Sequence, residues 1–330
     1  MNTYLKVALT ILVIVGLGFF IRATDWAGVI ASVQKVGFKF LILLFSTFVS
    51  SWLGVMAWRY CLPKSAGSVS SFKLFWIRLI GENFAIINPT SVIGGEAMKI
   101  YMLRNLGIDQ RQALHSILLS RAIMIISQIF MMSIAGIWFL SITVHDYTWL
   151  KDQWLWWCLI PVTMIGLLYI LRIRFIKNAL KSLFHRLGVL NQLENARAYL
   201  AELRLELRSF YRENRGAMLL SFLASALHWV VGSLEFYFIL HFLGIETTIV
   251  KALLVDMGVV VFKSAGAFVP GQIGIEEYGN KVMLAIIGVA GNTIWVTASI
   301  LRRARQLFWM ILALAVFFIF FNKRNTIIEA

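Results

Sequence analysis

Two eight-residue stretches of this chain, PTSVIGGE at residues 89–96 and PGQIGIEE at residues 270–277, are variants of one pattern. Each is followed by a leucine, a glycine and an arginine. Five pairs of anchor residues keep a constant offset of 181 residues: Pro89 with Pro270, Glu96 with Glu277, Leu103 with Leu284, Gly107 with Gly288, and Arg121 with Arg302. Repeated apolar segments that Pro and Gly interrupt are typical of transporter-like membrane folds. The sequence therefore predicts an internal repeat whose two Pro/Gly stretches occupy equivalent places.

The composition is that of an all-α integral membrane protein. Apolar residues make up 60% of the chain, charged residues make up 14%, and the mean hydropathy is +0.79. A soluble protein of this size is rarely so apolar. The net charge of +15 is therefore interpreted through membrane topology and anionic lipid headgroups. Nucleic acid is not an expected partner, because the chain has no soluble basic domain that could bind it.

Several apolar runs are long enough to cross about 30 Å of hydrocarbon. They lie near residues 4–21, 38–58, 112–141, 154–171, 217–243 and 292–321. Two further apolar regions, about 74–106 and 249–288, are interrupted by the Pro/Gly stretches. We expect one integral membrane domain over residues 1–330, a helical bundle of about six full spans plus two re-entrant hairpins. The repeats then cover about 74–141 and 249–321.

Positive charge predicts the orientation, since Lys and Arg accumulate on the cytoplasmic side. The second span is followed by Arg59, Lys64, Lys73 and Arg78. Residues 172–215 hold ten Lys or Arg against four Glu, and Lys323 and Arg324 lie near the end of the chain. Both termini are then cytoplasmic in a multi-pass protein of the inner membrane, and the two hairpins enter from opposite sides. The repeat is therefore expected to be inverted.

The basic stretch 172–215 also has leucines and phenylalanines at helical spacing beside its arginines. This pattern indicates an amphipathic segment on the inner membrane surface. Two roles are compatible with it: a charged anchor that fixes the topology, or a surface that recruits lipid headgroups.

Charged residues within the apolar segments are the candidate functional groups. Each would cost about 2.5–3.5 kcal/mol facing lipid at the bilayer centre, so such groups normally face a cavity and pair there. We hypothesise that Arg121 and Arg302 bind a lipid phosphate, and that Glu96 and Glu277 pair with them in the empty site or carry protons. A simpler alternative is that Glu96 with Lys99, and Glu277 with Lys281, form local helix pairs.

The hairpin tips add a second source of anion binding. Each Pro/Gly stretch opens a short helix, and the free N–H groups of a helix amino end attract anions. The full set of predicted substrate-binding residues is Pro89, Gly94, Gly95, Glu96, Lys99, Arg121, Lys263, Pro270, Gly271, Gly274, Glu277 and Arg302.

The remaining residues give no support for catalysis, a metal or a cofactor. The five histidines show no ligand spacing, and the two cysteines, Cys61 and Cys158, are expected near opposite membrane faces, so no disulfide is predicted. His228 and Glu235 lie seven residues apart on one span, which favours a polar contact in the core over a proton relay. Nucleotide-binding and nucleophile motifs are not found. We expect a protein that is not an enzyme.

The same residues resemble those of a known family. Pro89, the Gly94-Gly95-Glu96 run with Lys99, and the Ser120-Arg121 pair are similar to the lysylphosphatidylglycerol synthase transmembrane (flippase-like) family. In the second half the resemblance rests on Pro270-Gly271, Gly274, Glu277 and Arg302.

The resemblance implies a polytopic helical fold and transbilayer movement of a lipid with an anionic, phosphate-bearing headgroup: a phospholipid, a polyprenyl-phosphate-linked lipid or a related glycolipid. Two departures stand out. Gln272 replaces the second glycine usual in the family, and the chain carries no soluble aminoacyl-transferase domain, so we expect it not to make lysylphosphatidylglycerol. A membrane-embedded lipid transferase using Glu276 or Glu277 as a general base, and an ion-coupled carrier of small anions, remain alternatives. The oligomeric state is not predicted.

Overall fold

The computed structural model describes residues 34, 36–63, 69–87, 92–143, 212, 214–265, 272, 274–289 and 291–321, and every regular element in these ranges is helical. The α-helices are α1 (Phe40–Arg59), α2 (Ser71–Ile87), α3 (Val92–Arg104), α4 (Gln110–Thr143), α5 (Arg215–Phe242), α6 (Ile249–Ala265), α7 (Ile275–Ile286) and α8 (Asn292–Phe321). The described residues fall into two compact units, one within Met1–Met132 and Leu220–Ala330, the other within Ser133–Leu219. The predicted all-helical fold is confirmed, and the residues discussed below as a candidate site belong to the first unit.

Three of the described helices are long and apolar enough to cross a membrane: Gly37–Arg59, Gln110–Phe139 and Arg215–Phe242. They correspond to the predicted spans at 38–58, 112–141 and 217–243. Helix α8 is 30 residues long but carries three arginines, and it is not among these three. The total of six spans stays a prediction, because residues 4–21 and 154–171 lie outside the described residues.

Large apolar side chains lie exposed on the helices that are candidate spans. Examples are Phe38 in the 3-10 helix Gly37–Lys39 that precedes α1, Phe45 on α1, Ile126 and Phe130 on α4, and Leu227 on α5. Such a surface is unfavourable in water but natural against acyl chains, where close packing decides which faces are buried. The exposed side chains therefore agree with a membrane environment.

Helices α2 and α3 form a closely packed antiparallel hairpin. A Cβ atom added at Gly95 would lie 2.5 Å from the carbonyl oxygen of Gly81 and 2.7 Å from the Cβ atom of Ala85. The stem of Lys99 lies against Gly81 in the same way. Small residues let two helix backbones approach this closely. Gly95, predicted as a binding residue, is thus a packing residue of the hairpin.

Helices α6 and α7 form the corresponding hairpin in the second half of the chain. Met283 of α7 lies against Gly258 of α6, and Phe262 of α6 lies against Gly279 of α7. These two contacts again require an antiparallel arrangement. Helix α7 also packs against α8.

The second helix of each hairpin is short. Helix α3 has 13 residues and α7 has 12, so they extend about 20 and 18 Å at a rise of 1.5 Å per residue. Neither can cross about 30 Å of hydrocarbon alone. This length fits hairpins that enter the membrane and return, although re-entry itself stays a prediction.

The leucine and glycine anchors of the repeat form the same helix cap in both halves. Gly107 has a φ of +86° and Gly288 a φ of +85°. The amide of the residue after each glycine donates to the carbonyl of the anchor leucine, Leu103 at 3.2 Å and Leu284 at 2.9 Å. This is the Schellman type of helix ending, which favours glycine at the left-handed position. The shared offset therefore reflects shared backbone conformation at these anchors, while the inverted relation of the repeats stays a prediction.

Aromatic side chains connect the first hairpin to α8. Phe75 of α2 lies 5.3 Å from Phe48 of α1 and 6.3 Å from Trp309 of α8, measured between ring centroids. Aromatic pairs at such distances stabilise helix packing beyond the area that they bury.

Helix α1 also contacts α5, where the hydroxyl of Ser50 lies 2.9 Å from Nδ1 of His228. His228 therefore makes a polar contact within the bundle.

Candidate functional site

Five charged side chains on the first hairpin and α4 form what we call the first charged cluster: Arg78, Glu82, Glu96, Lys99 and Arg121. Glu96 is shared between two cations. Its Oε1 atom lies 2.9 Å from Nη1 of Arg121, and its Oε2 atom lies 3.2 Å from Nζ of Lys99. The predicted pair of Glu96 with Arg121 and the alternative local pair with Lys99 therefore occur together. The Arg121 side chain is 44% exposed, whereas that of Lys99 is 10% exposed.

Arg78 is the most deeply buried arginine of the first charged cluster. Its Nε atom lies 2.8 Å from Oε1 of Glu82, one helical turn later on α2, and its side chain is 7% exposed. Its Nη2 atom donates to the sulfur of Met124 at 3.7 Å. From sequence, Arg78 was interpreted only as a marker of the cytoplasmic side. The structure instead places its guanidinium inside the bundle.

Four carboxylates and four cations form a second charged cluster on α5 to α8: Glu235, Asp256, Lys263, Glu276, Glu277, Arg302, Arg303 and Arg305. Arg302 is at its centre. Its Nη1 atom lies 3.1 Å from Oδ1 of Asp256, and its Nε atom lies 3.2 Å from Oε1 of Glu276 and 3.7 Å from Oε2 of Glu235. The guanidinium also stacks 4.2 Å from the ring centroid of Phe236. Arg302 is thus surrounded by carboxylates, unlike its repeat partner Arg121.

The other cations of the second charged cluster form ion pairs with the same carboxylates. Lys263 Nζ lies 3.3 Å from Oε2 of Glu276, and Arg303 Nη1 lies 3.8 Å from the same atom. Arg305 pairs with Glu235. Glu276 is 3% exposed and Glu235 4%. Buried ion pairs of this kind require several partners to offset the loss of water.

The predicted pair of Glu277 with Arg302 is wrong. Glu277 accepts a hydrogen bond from the amide of Gly274 at 2.7 Å and lies 2.8 Å from Nε of Arg303. Glu276 is the residue that reaches Arg302. The reason is geometric: neighbouring residues on a helix point about 100° apart, and Glu277 stands in the first turn of α7, where it caps the helix. The alternative partner, Lys281, lies over the ring of Trp295 at 5.7 Å.

Gln272, the departure from the family pattern, has a left-handed backbone. Its φ is +51°, a region that favours glycine. Its carbonyl accepts a hydrogen bond from Arg303 at 3.3 Å, and its side-chain amide donates to the carbonyl of Lys263 at 3.4 Å. A glutamine therefore adopts the conformation that a glycine would adopt more easily. The predicted tip residues Pro89, Pro270 and Gly271 lie outside the described residues.

The two clusters differ in their balance of charge. With histidine neutral, the first has three cations against two carboxylates, a surplus of one positive charge, whereas the second has four against four. Of the predicted binding residues, Glu96, Lys99 and Arg121 come together in the first cluster, and Lys263, Glu277 and Arg302 in the second. Gly94 lies on α3 and Gly274, with φ of +82°, opens α7. Within the described ranges, no group of His, Cys, Asp or Glu is arranged to hold a metal ion.

Sequence reasoning missed the parts that Arg78 and Glu235 play, whereas the pairing of Asp256 is what an apolar-segment charge predicts. Each is a charge within or beside an apolar segment, which is the available signal. The sequence assigned Arg78 to the cations on the cytoplasmic side of the membrane, and it predicted only a polar contact in the core for Glu235 and His228. Burial separates these cases, and burial is a property of the folded bundle.

Comparison with known proteins agrees with the resemblance. Residues 5–319 match the family described as the lysylphosphatidylglycerol synthase TM region. Searches among curated proteins and among solved structures found no match. Because the match covers nearly the whole chain, the protein belongs to the lysylphosphatidylglycerol synthase TM region family.

Proposed function

We propose that this protein moves a lipid with an anionic, phosphate-bearing headgroup across the inner membrane, with both of its termini in the cytoplasm. Family membership supports a role connected with membrane lipids. The observation that carries the proposal is the first charged cluster: three cations and two carboxylates next to candidate spans whose exposed faces are apolar. Charges in such a setting normally mark a substrate path.

The geometry around Glu96 supports a site that a headgroup can enter. Arg121 is half-exposed, and its carboxylate partner is shared with Lys99. A phosphate oxygen could replace one Glu96 oxygen at Arg121 or at Lys99, since each of these side chains binds phosphate as well as carboxylate. Movement of one hairpin relative to the other spans would then give alternating access to opposite leaflets.

The transferase alternative is less favoured by the contacts of its proposed base. Glu276 lies among Arg302, Lys263 and Arg303, and Glu277 is bound to Arg303 and to the amide of Gly274. A carboxylate held by cations is a weak base. We therefore propose that the protein is not an enzyme.

Reconstitution separates the three candidate functions. The purified protein alone is placed in liposomes of phosphatidylcholine with a fluorescent phosphatidylglycerol, and the fraction of probe that external dithionite quenches is followed. Lipid translocation without a change in lipid mass supports the proposal. A new lipid mass would indicate a transferase, and uptake of small anions without lipid movement would indicate a carrier of soluble anions.

A further inference from the structure

Arg78 is a buried arginine with donors to spare. A guanidinium has five N–H donors. In the described part of the chain, the polar contacts of Arg78 are with Glu82 and with the thioether of Met124, a weak acceptor. Its Nε atom, although 2.8 Å from Glu82, is not aligned for a hydrogen bond. Buried arginines normally have their donors satisfied, and the described residues leave this one with donors available for a further acceptor.

The guanidinium of Arg78 occupies a space that a side chain would fill. A Cβ atom added at Gly54 of α1 would collide with the terminal guanidinium atoms of Arg78. Glycine at this position therefore lets the charged group lie directly on the α1 backbone. The position of the guanidinium thus depends on α1 as well as on α2.

Arg78 faces the same region as the other cations of the first charged cluster. Its contact Met124 lies three residues after Arg121 on α4, and residues at that spacing share a helix face. Glu82 and Lys99 each lie within electrostatic range of both arginines. Three cations thus converge on one region of the first hairpin and α4.

The second charged cluster offers no comparable vacancy. Arg302 is 5% exposed and already contacts three carboxylates and an aromatic ring. The positive and negative charges of the second charged cluster are equal in number, so an added anion would have to displace a buried carboxylate into a low-dielectric interior. The repeat has therefore diverged, with equivalent arginines in unlike surroundings.

We infer that Arg78, together with Lys99 and Arg121, binds the headgroup phosphate in the first half of the repeat, and that the second charged cluster is structural. The surplus of one positive charge fits a phosphate with a single negative charge, that is, a phosphodiester. A phosphate monoester carries a charge of about −1.5 to −2 at neutral pH and would leave the site negative. The inference rests on the proposed function for the identity of its ligand as a lipid.

A phosphodiester could come from two sources, a glycerophospholipid or a sugar phosphate of a polyprenol. Three water-soluble probes test the inference by titration calorimetry on the detergent-solubilised full-length protein at pH 8: dihexanoylphosphatidylglycerol, dihexanoylphosphatidic acid and the glucosyl phosphate of farnesol. We expect at least one diester to bind more tightly than the phosphatidic acid. The tighter of the two diesters identifies the source.

Two variants change Arg78 in different ways. Arg78→Gln removes the charge, and we expect the better diester to bind about 10- to 100-fold more weakly, the usual effect of losing hydrogen bonds to a charged group. Gly54→Ala keeps the charge but displaces the guanidinium, and we expect a smaller loss in the same direction. Gly136→Ala is the matched control, because a Cβ atom there meets nothing within 4 Å. Arg303→Gln is the control in the second cluster and should change affinity less than threefold.

Binding within threefold of wild type for Arg78→Gln would overturn the inference, as would tighter binding of the phosphatidic acid. If Arg78→Gln lowers the thermal midpoint of unfolding so far that binding cannot be measured, Gly54→Ala decides, and unchanged affinity in that variant refutes the inference. Binding and transport are separate measurements. A loss of binding in Arg78→Gln with no lipid translocation by wild type would keep the inference and reject the proposed function.

Discussion

Removing the charge of Arg302 should destabilise the protein far more than removing that of its repeat partner Arg121. The change Arg302→Gln leaves Asp256, Glu276 and Glu235 buried without their central cation, since these side chains are 5–10% exposed. Removing one partner of a buried ion pair typically costs about 3–5 kcal/mol. Arg121 is 44% exposed and, within the described residues, its ion pair is with Glu96; a partly exposed ion pair of this kind contributes about 0–1 kcal/mol.

Unfolding in mixed micelles measures the difference. Each variant is titrated with sodium dodecyl sulfate and followed by tryptophan fluorescence, and the free energies of unfolding are compared with wild type. We expect Arg302→Gln to lose at least 2 kcal/mol more than Arg121→Gln, about the smallest gap between the two ranges. Adding Asp256→Asn to Arg302→Gln removes one of the carboxylates that the loss of Arg302 leaves unpaired. The double variant should therefore recover part of the lost free energy of unfolding. Equal losses for the two arginines would refute the structural role of the second charged cluster.

Three further predictions concern single residues. Gly95→Ala should separate the helices of the first hairpin and lower the thermal midpoint of unfolding, whereas Gly136→Ala, in open space, should not; equal midpoints would contradict the close packing. Gln272→Gly should raise the free energy of unfolding by up to about 1 kcal/mol. The left-handed conformation costs a residue with a Cβ atom about 1–2 kcal/mol, and loss of the side-chain hydrogen bond to Lys263 offsets part of that gain. A clear destabilisation would refute this prediction. Burial raises the pKa of the Cys61 thiol from 9.0 to about 11, so its thiolate fraction at pH 8 is about 100-fold below that of an ordinary cysteine. In a Cys158→Ser background, maleimide labelling of Cys61 should therefore be slow until the protein unfolds. Rapid labelling of the folded protein would contradict the burial.

The sequence correctly predicted the features that depend on the local spacing of residues. The constant offset identified Leu103 with Leu284 and Gly107 with Gly288, and both pairs form the same helix ending. The contact of Glu96 with Arg121 followed from treating apolar-segment charges as paired. These features are accessible because a repeat places equivalent residues in equivalent local structure.

The sequence could not give the features that depend on helix rotation and burial. Whether Glu276 or Glu277 reaches Arg302 depends on how α7 is turned, and hydropathy does not determine that rotation. Arg78 and an interfacial arginine look alike in sequence, since both stand at the edge of an apolar run. The difference appears only when α1 and α4 close around the guanidinium.

Transport by a variant of the first charged cluster tests the central claim most directly. Wild type, Arg121→Gln and Arg303→Gln are reconstituted at equal density in liposomes, and the initial rate of phosphatidylglycerol translocation is measured by dithionite quenching. Thermal unfolding confirms that each variant is folded. We expect wild type to translocate the probe, Arg121→Gln to reduce the rate at least tenfold, and Arg303→Gln to retain most of it. No translocation by wild type, or a wild-type rate in Arg121→Gln, would contradict the account.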